Sequence, residues 1–193
     1  MQAFNDPYFF IAELIKNVQR KTTMQDSKFL KQVKKSFHFL FAQFSYRITK
    51  HDKYESFGNE ITNLQSNSLW IIILRDRDQI FLEIAAPPGP KSAKIKPENW
   101  FGLYTILQSL NTANAKKILE MRMNRIYHKK EDFQKYNVKQ HLKPPTDKDE
   151  LDLLAQFLNH YYAEIVEMFS PKKKYNTYRK LDNIRRQTSK EWT

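Results

Sequence analysis

The 193-residue chain carries 33 Lys and Arg residues against 21 Asp and Glu residues, and it contains no cysteine. This length fits one domain with a buried core, and the missing thiols exclude cysteine catalysis, thiolate zinc sites and disulfides. The net charge of +12 is segmented, because residues 144–171 hold six acidic side chains and one basic side chain between two basic segments. Part of this charge can be neutralised within the molecule, so the surface attracts anions less than the total suggests.

The N-terminal part of the chain predicts two helices and no targeting signal. No basic residue precedes Lys16, so we expect no signal peptide. Asp6-Pro7 suits the start of a first helix, and Asp26 or Ser27 can cap a second one with apolar residues along one face. The other face of the second helix carries Lys28, Lys31, Lys34 and Lys35. Such a basic face is typical of a solvated helix surface.

Residues 44–86 predict an antiparallel meander of about four strands. Apolar and polar residues alternate from Phe44 to Ile48, which indicates a strand with one buried face. Two strongly β-prone runs, 69–74 and 80–84, then flank a charged turn. The first of these runs is apolar from Trp70 onwards, so we expect a central strand covered on both faces.

The remainder of the chain predicts helices. Prolines at 87, 88 and 90 end the sheet. One helix is expected to start at Pro97 and to contain Trp100, a second to run from about Ala113, and a third to follow a cap at Thr146 or Asp147. We therefore predict an α+β fold, in which N- and C-terminal helices pack on the meander. Residues 1–171 would form a single domain, and 172–193 a basic C-terminal tail or short helix.

The sequence contains no motif for catalysis, for a cofactor or for a metal ion. Three glycines cannot form a phosphate-binding loop, and no Gly-x-Ser-x-Gly elbow occurs. None of the five histidines has a second histidine at metal-ligand spacing. His160 and Glu164 share a helical face, but a metal site needs more ligands than this pair. We expect no catalytic residue, no metal and no cofactor.

Three acidic residues of the hairpin, Asp76, Asp78 and Glu83, superficially resemble the magnesium ligands of a restriction-nuclease type of fold. The lysine of the usual Glu-x-Lys element is missing, because Ile84 and Ala85 follow Glu83. Alternating charge is ordinary at an exposed sheet edge, so a solvated turn is favoured over a metal-dependent nuclease.

The basic C-terminal segment is the stronger candidate for binding nucleic acid. Cationic side chains neutralise phosphates, and interleaved aromatic rings can stack on bases. The candidate residues are Lys172, Lys173, Lys174, Tyr175, Tyr178, Arg179, Lys180, Arg185 and Arg186, together with Trp192. Further cations that could contribute are Lys116, Lys117, Arg122 and Arg125. The alternative is a solvated segment, or one that packs on the acidic residues of 144–171.

The turn Phe57-Gly58-Asn59, the hairpin around Arg75-Asp76-Arg77-Asp78-Gln79 and the following Trp100-Phe101-Gly102-Leu103 form a recognisable combination. It resembles a pattern in small uncharacterised bacterial and cyanobacterial α+β proteins, over about residues 42–110. Asp78 stands where that pattern usually has glycine. Some proteins of this type are suspected immunity or accessory proteins of toxin loci. The resemblance implies no catalytic residues.

We therefore expect a cytoplasmic protein without membrane contact that is not an enzyme. The first hypothesis for its function is a protein-binding module of the immunity or accessory kind, with an unknown protein partner. Nucleic-acid binding by the basic C-terminal segment is the alternative, and a divergent nuclease is the third hypothesis.

Overall fold

A five-stranded antiparallel sheet forms the centre of the fold, with its strands in sequence order β1-β2-β3-β4-β5. The structure is a computed structural model, and it describes residues 27–54, 58–77, 79–89, 95–127 and 145–191. The strands are β1 (Arg47–Tyr54), β2 (Asn59–Gln65), β3 (Trp70–Asp76), β4 (Gln79–Ala85) and β5 (Phe101–Gly102). The helices are α1 (Lys28–Ser36), α2 (His38–Phe44), α3 (Leu103–Ser109), α4 (Asn114–Tyr127), α5 (Asp147–His160), α6 (Tyr162–Met168) and α7 (Lys174–Glu191).

The predicted α+β class and the antiparallel sheet are confirmed. The hairpin of β3 and β4 pairs Trp70 with Ala85 at one end and Asp76 with Gln79 at the turn. Strand β3 is the middle strand, and residues 71–74 are all buried, so the prediction of a central strand covered on both faces is also confirmed. A continuous run of apolar residues is typical of a strand whose two faces are both shielded from water.

The main core lies on the face of the sheet that carries the helices. Helices α3 and α5 contact β4, α1 packs against α5, and α7 packs against α3. Alternate residues of a strand share a face, and the core receives Ile71 and Ile73 of β3 and every second side chain of β4, namely Ile80, Leu82 and Ile84. The largest side chains that it buries completely include Phe29, Phe37, Phe101, Ile71, Ile73 and Leu82. A smaller apolar cluster on the opposite face contains Ile72, Leu74, Ala85 and Trp100.

Two element boundaries differ from the prediction. Phe44 is the last residue of α2 and not a strand residue, and β1 begins at Arg47 after Ser45 adopts a left-handed φ of 54°. The expected helix from Pro97 is a 3₁₀ turn that ends at Asn99, followed by extended residues that pair with β4 as β5. The sheet therefore has five strands instead of about four, and the helix begins at Leu103.

The start of each of the two helices α1 and α5 has a clear physical cause. Ser27 caps α1, because its hydroxyl accepts a hydrogen bond from the amide of Leu30 at 3.0 Å. Thr146 and Asp149 form a reciprocal capping box at α5, whose first turn is acidic. The predicted first helix, from Asp6, lies outside the described residues.

Candidate functional site

A buried glutamate on β2 is the centre of a polar network that joins strands β1, β2 and β3 to helices α1 and α5. The side chain of Glu60 is 4% exposed and lies on the face of the sheet that carries the helices. Its carboxylate accepts hydrogen bonds from the hydroxyl of Ser27 and from Nη2 of Arg75, the latter at 2.8 Å. We call this group the Glu60 cluster, and its members are Ser27, His51, Glu60, Thr62, Arg75 and Asp147.

Strand register brings four of these residues together. His51 lies opposite Thr62 in the β1–β2 pair, and Glu60 lies opposite Arg75 in the β2–β3 pair. Glu60 and Thr62 are two positions apart on β2, so their side chains point to the same face. Nδ1 of His51 is 3.0 Å from the hydroxyl of Thr62, and its Nε2 is 3.4 Å from the carboxylate of Glu60.

Arg75 connects this cluster to three further parts of the fold. Its Nη2 and Nε donate to the carbonyl of Gly58 at 2.7 and 3.2 Å. Gly58 has a φ of 66°, a left-handed conformation that favours glycine, in the turn before β2. Nη1 of Arg75 donates to Asp147 at the start of α5 at 3.3 Å, and the guanidinium lies 5.4 Å from the ring centre of Phe29 in α1.

Serine, histidine and glutamate are also the residue types of a hydrolytic triad, but their arrangement here differs. In a triad one ring nitrogen accepts the serine proton while the other donates to the acid. Here Nδ1 of His51 faces Thr62, and Nε2 lies beside both Ser27 and Glu60. The Ser27 hydroxyl donates to Glu60 and also caps α1. The geometry of the cluster is therefore that of a structural network, which holds the start of α1 against the sheet.

The candidate nuclease carboxylates are not brought together. Asp76 and Glu83 share a face of the hairpin, but Glu83 pairs with Ile72, four residues before Asp76. Four strand residues span about 13 Å, whereas the ligand oxygens of one magnesium ion all lie about 2 Å from it. Asp78 lies outside the described residues. In the part of the chain that the structure describes, no group of three His, Asp or Glu side chains could hold a metal ion.

Several of the candidate nucleic-acid residues on α7 instead anchor this helix to the domain. Tyr178 packs on the ring of Phe101 with centroids 5.2 Å apart, and Nζ of Lys180 donates to the carbonyl of Ser109 at 2.6 Å. Arg185 donates to Asp182 at 2.6 Å and lies over the ring of Phe101. That hydrogen bond from Arg185 holds the pKa of Asp182 below its usual 3.8.

The remaining candidates face the solvent. Tyr175 is 72% exposed, and Lys172, Lys174 and Arg179 beside it are exposed and form no ion pair with the described residues. We call these four residues the α7 cationic surface. Lys173 and Arg186 are exposed too, but each forms an ion pair, with Glu167 and Asp182 respectively.

Of the four further cations that could contribute to nucleic-acid binding, the structure describes the side chains of two. Lys116 and Lys117 are exposed on α4, and Lys116 pairs with Glu120 at 3.8 Å. The side chains of Arg122 and Arg125, and all of Trp192, lie outside what the structure describes.

Sequence reasoning named three members of the Glu60 cluster but did not bring them together: Ser27 and Asp147 were possible helix caps, and Arg75 belonged to a charged turn expected to be solvated. His51 and Glu60 gave no signal because their partners are 11 and 33 residues away in the chain.

The chain matches no protein-family model, and neither the curated proteins nor the solved structures compared with it include a match. The resemblance over residues 42–110 therefore stays a prediction. None of the helices in the described residues is long and apolar enough to cross a membrane.

Proposed function

We propose that this protein is a non-catalytic module that binds another protein, of the immunity or accessory kind, in the cytoplasm. The observation that supports this proposal is the Glu60 cluster. Its serine, histidine and glutamate are the side chains best suited to a reaction, and they are engaged with one another and with Arg75. Satisfied buried networks of this kind hold elements in place and specify a unique core. The resemblance of the hairpin to immunity-like proteins points in the same direction.

The test is recovery of a partner under native conditions. The full-length protein, tagged and expressed in its source organism, should purify with one protein at a fixed molar ratio. Size-exclusion chromatography with light scattering should then show a single complex of defined mass. Repeated recovery of the protein alone, at several salt concentrations, would overturn the proposal.

A second candidate function is the binding of nucleic acid at the α7 cationic surface. The specific observation is the exposure of Tyr175, the one large apolar side chain that faces the solvent in the described part of the chain. It stands between Lys174 and Arg179, so a base could stack on the ring while both cations contact phosphates.

A charge-neutral variant is the better test of this second function than a truncation. Removal of residues 172–193 would also remove Leu181, which is completely buried in the core. We therefore choose K172Q/K174Q/R179Q, with Y175A as a separate variant. Binding of labelled single-stranded DNA should weaken in both variants and should decrease steeply with salt. Binding that is unchanged in K172Q/K174Q/R179Q would exclude this surface.

A further inference from the structure

Helix α1 carries four lysines and no acidic residue among its nine residues. The side chains of Lys28, Lys31 and Lys35 lie within about 60° of one another around the helix and span about 10 Å along it. They face away from the core, which receives Phe29, Leu30 and Val33 of the same helix. We call Lys28, Lys31 and Lys35 the α1 lysine stripe.

The stripe has no counter-charge among the described residues. All three lysines are exposed, and none of them forms an ion pair with the described part of the chain. One carboxylate of the neighbouring helix does contact α1, but it is already engaged. Asp152 accepts hydrogen bonds from Ser36 at 2.5 Å and from Lys148 at 2.7 Å.

Two lysines of the stripe, Lys28 and Lys31, act against the helix dipole, whereas Lys35 lies in the last turn, where a positive charge is favourable. Lys28 and Lys31 lie in the first turns, close to the positive end of the helix dipole, where acidic side chains are stabilising. Lys28–Lys31 and Lys31–Lys35 are like-charge neighbours at spacings of three and four residues, which destabilise a helix. The first turn of helix α5, in contrast, carries the acidic residues that the helix dipole favours, namely Asp147, Asp149 and Glu150.

Residues that lower local stability without a compensating contact are expected at functional or strained sites. We propose that the α1 lysine stripe is the docking surface for an acidic segment of a protein partner. This inference rests on the proposed protein-binding function and names the chemistry of its partner. An acidic helix with carboxylates at positions i, i+3 and i+7 matches the length and spacing of the stripe. No large aromatic side chain is exposed on α1, so the stripe lacks the stacking platform that the α7 cationic surface has.

The test compares two matched triple variants, each of which removes three positive charges. K28Q/K31Q/K35Q changes the α1 lysine stripe, and K172Q/K174Q/R179Q changes the α7 cationic surface. The probes are labelled poly-L-glutamate and a labelled DNA duplex, each titrated at low and physiological salt. We expect K28Q/K31Q/K35Q to bind poly-L-glutamate about tenfold more weakly, the loss expected when three exposed ion pairs disappear together. Its thermal midpoint should be unchanged or higher, because like-charge repulsion is relieved.

Three results would overturn the inference. The first is equal affinity of wild type and K28Q/K31Q/K35Q for poly-L-glutamate. The second is a loss confined to the DNA duplex, which would assign the stripe to phosphates. The third is a lower thermal midpoint, which would assign the lysines a structural role. A co-purifying partner that K28Q/K31Q/K35Q still retains would overturn the inference and leave the proposed function standing, whereas absence of any partner would overturn the proposed function itself.

Discussion

Replacement of Glu60 by glutamine tests the cluster that supports the proposed function. The substitution keeps the size of the side chain and removes its charge. The carboxylate of Glu60 accepts hydrogen bonds from the hydroxyl of Ser27 and from the guanidinium of Arg75. In E60Q the positive charge of Arg75 therefore loses its closest carboxylate. We expect E60Q to fold and to be markedly less stable than the wild type.

The magnitude follows from the burial of the pair. Breaking a buried ion pair by removing one partner costs about 3–5 kcal/mol. The side chain of Arg75 is 23% exposed and keeps the carbonyl of Gly58 and the carboxylate of Asp147, so the lower end of this range applies. A loss of about 3 kcal/mol corresponds to a decrease of about 6–12 °C in the thermal midpoint for a chain of this size.

The assay is urea denaturation followed by circular dichroism, with thermal scans as a second measure. D52N is the matched control, because Asp52 is also a strand carboxylate but pairs with the more exposed Lys50 at 2.8 Å. Its free energy of unfolding should change by less than about 1 kcal/mol. A thermal midpoint of E60Q equal to or above that of the wild type would refute the reasoning. Such a result would mean that the cost of burying the charge of Glu60 exceeds its attraction to Arg75.

Three further substitutions, L181A, D182N and T146A, test the contacts and caps that stabilise the helices, and Y175A serves as a control for the first. L181A should lower the free energy of unfolding by about 2–5 kcal/mol, because Leu181 is fully buried. Y175A on the same helix should change it by less than about 0.5 kcal/mol, because Tyr175 is exposed. Equal effects of the two substitutions in urea titrations would contradict the packing of α7 on the core. The lowered pKa of Asp182 stabilises the folded state above its unfolded value of 3.8, and this contribution is lost as the pH falls below that value. D182N should therefore be less stable than the wild type at about pH 7, and the difference should shrink by about pH 2.5; a constant difference would exclude the ion pair with Arg185 as its cause. T146A should cost about 0.5–2 kcal/mol through loss of the capping box at α5, and an unchanged denaturation midpoint would argue against that cap.

Local patterns in the chain were sufficient to predict the hairpin and its central strand. The run from Trp70 to Leu74 is apolar and contains three β-branched isoleucines, and a second β-prone run follows after a short charged turn. Both properties belong to neighbouring residues, so no knowledge of distant contacts was needed. The cap at Thr146 was predictable for the same reason, because its partner Asp149 is three residues away.

The features that the sequence did not reveal depend on distant contacts. Trp100 and Phe101 follow Pro97 and look like the first turn of a helix, yet they extend because the backbone of Phe101 pairs with Ile84 of β4. Glu60 looks like an ordinary exposed strand residue until Ser27 and Arg75 are placed beside it. In both cases tertiary pairing overrides what the local pattern favours.

The amino-acid composition of residues 172–193 gives no indication that this segment packs on the rest of the fold. Its charge dominates the sequence, and its division from the domain at residue 171 stays a prediction. The apolar residues that attach α7 are few, with Tyr178 and Leu181 on one face. Arg185 adds to them although it is charged, because its stem and guanidinium lie over Phe101 and only 15% of its side chain is exposed. A count of charges therefore overestimates how many cations of this segment are available to a ligand.

The two surfaces proposed for binding belong to helices that contact different strands of the sheet. Ser27, at the start of α1, contacts His51 of β1 and Glu60 of β2, whereas Tyr178 of α7 packs on Phe101 of β5. Each triple variant removes three positive charges from one of these two surfaces and leaves the other unchanged. A loss of poly-L-glutamate binding in K28Q/K31Q/K35Q alone, together with a loss of DNA binding in K172Q/K174Q/R179Q alone, therefore separates the protein-binding and nucleic-acid-binding hypotheses on one folded protein.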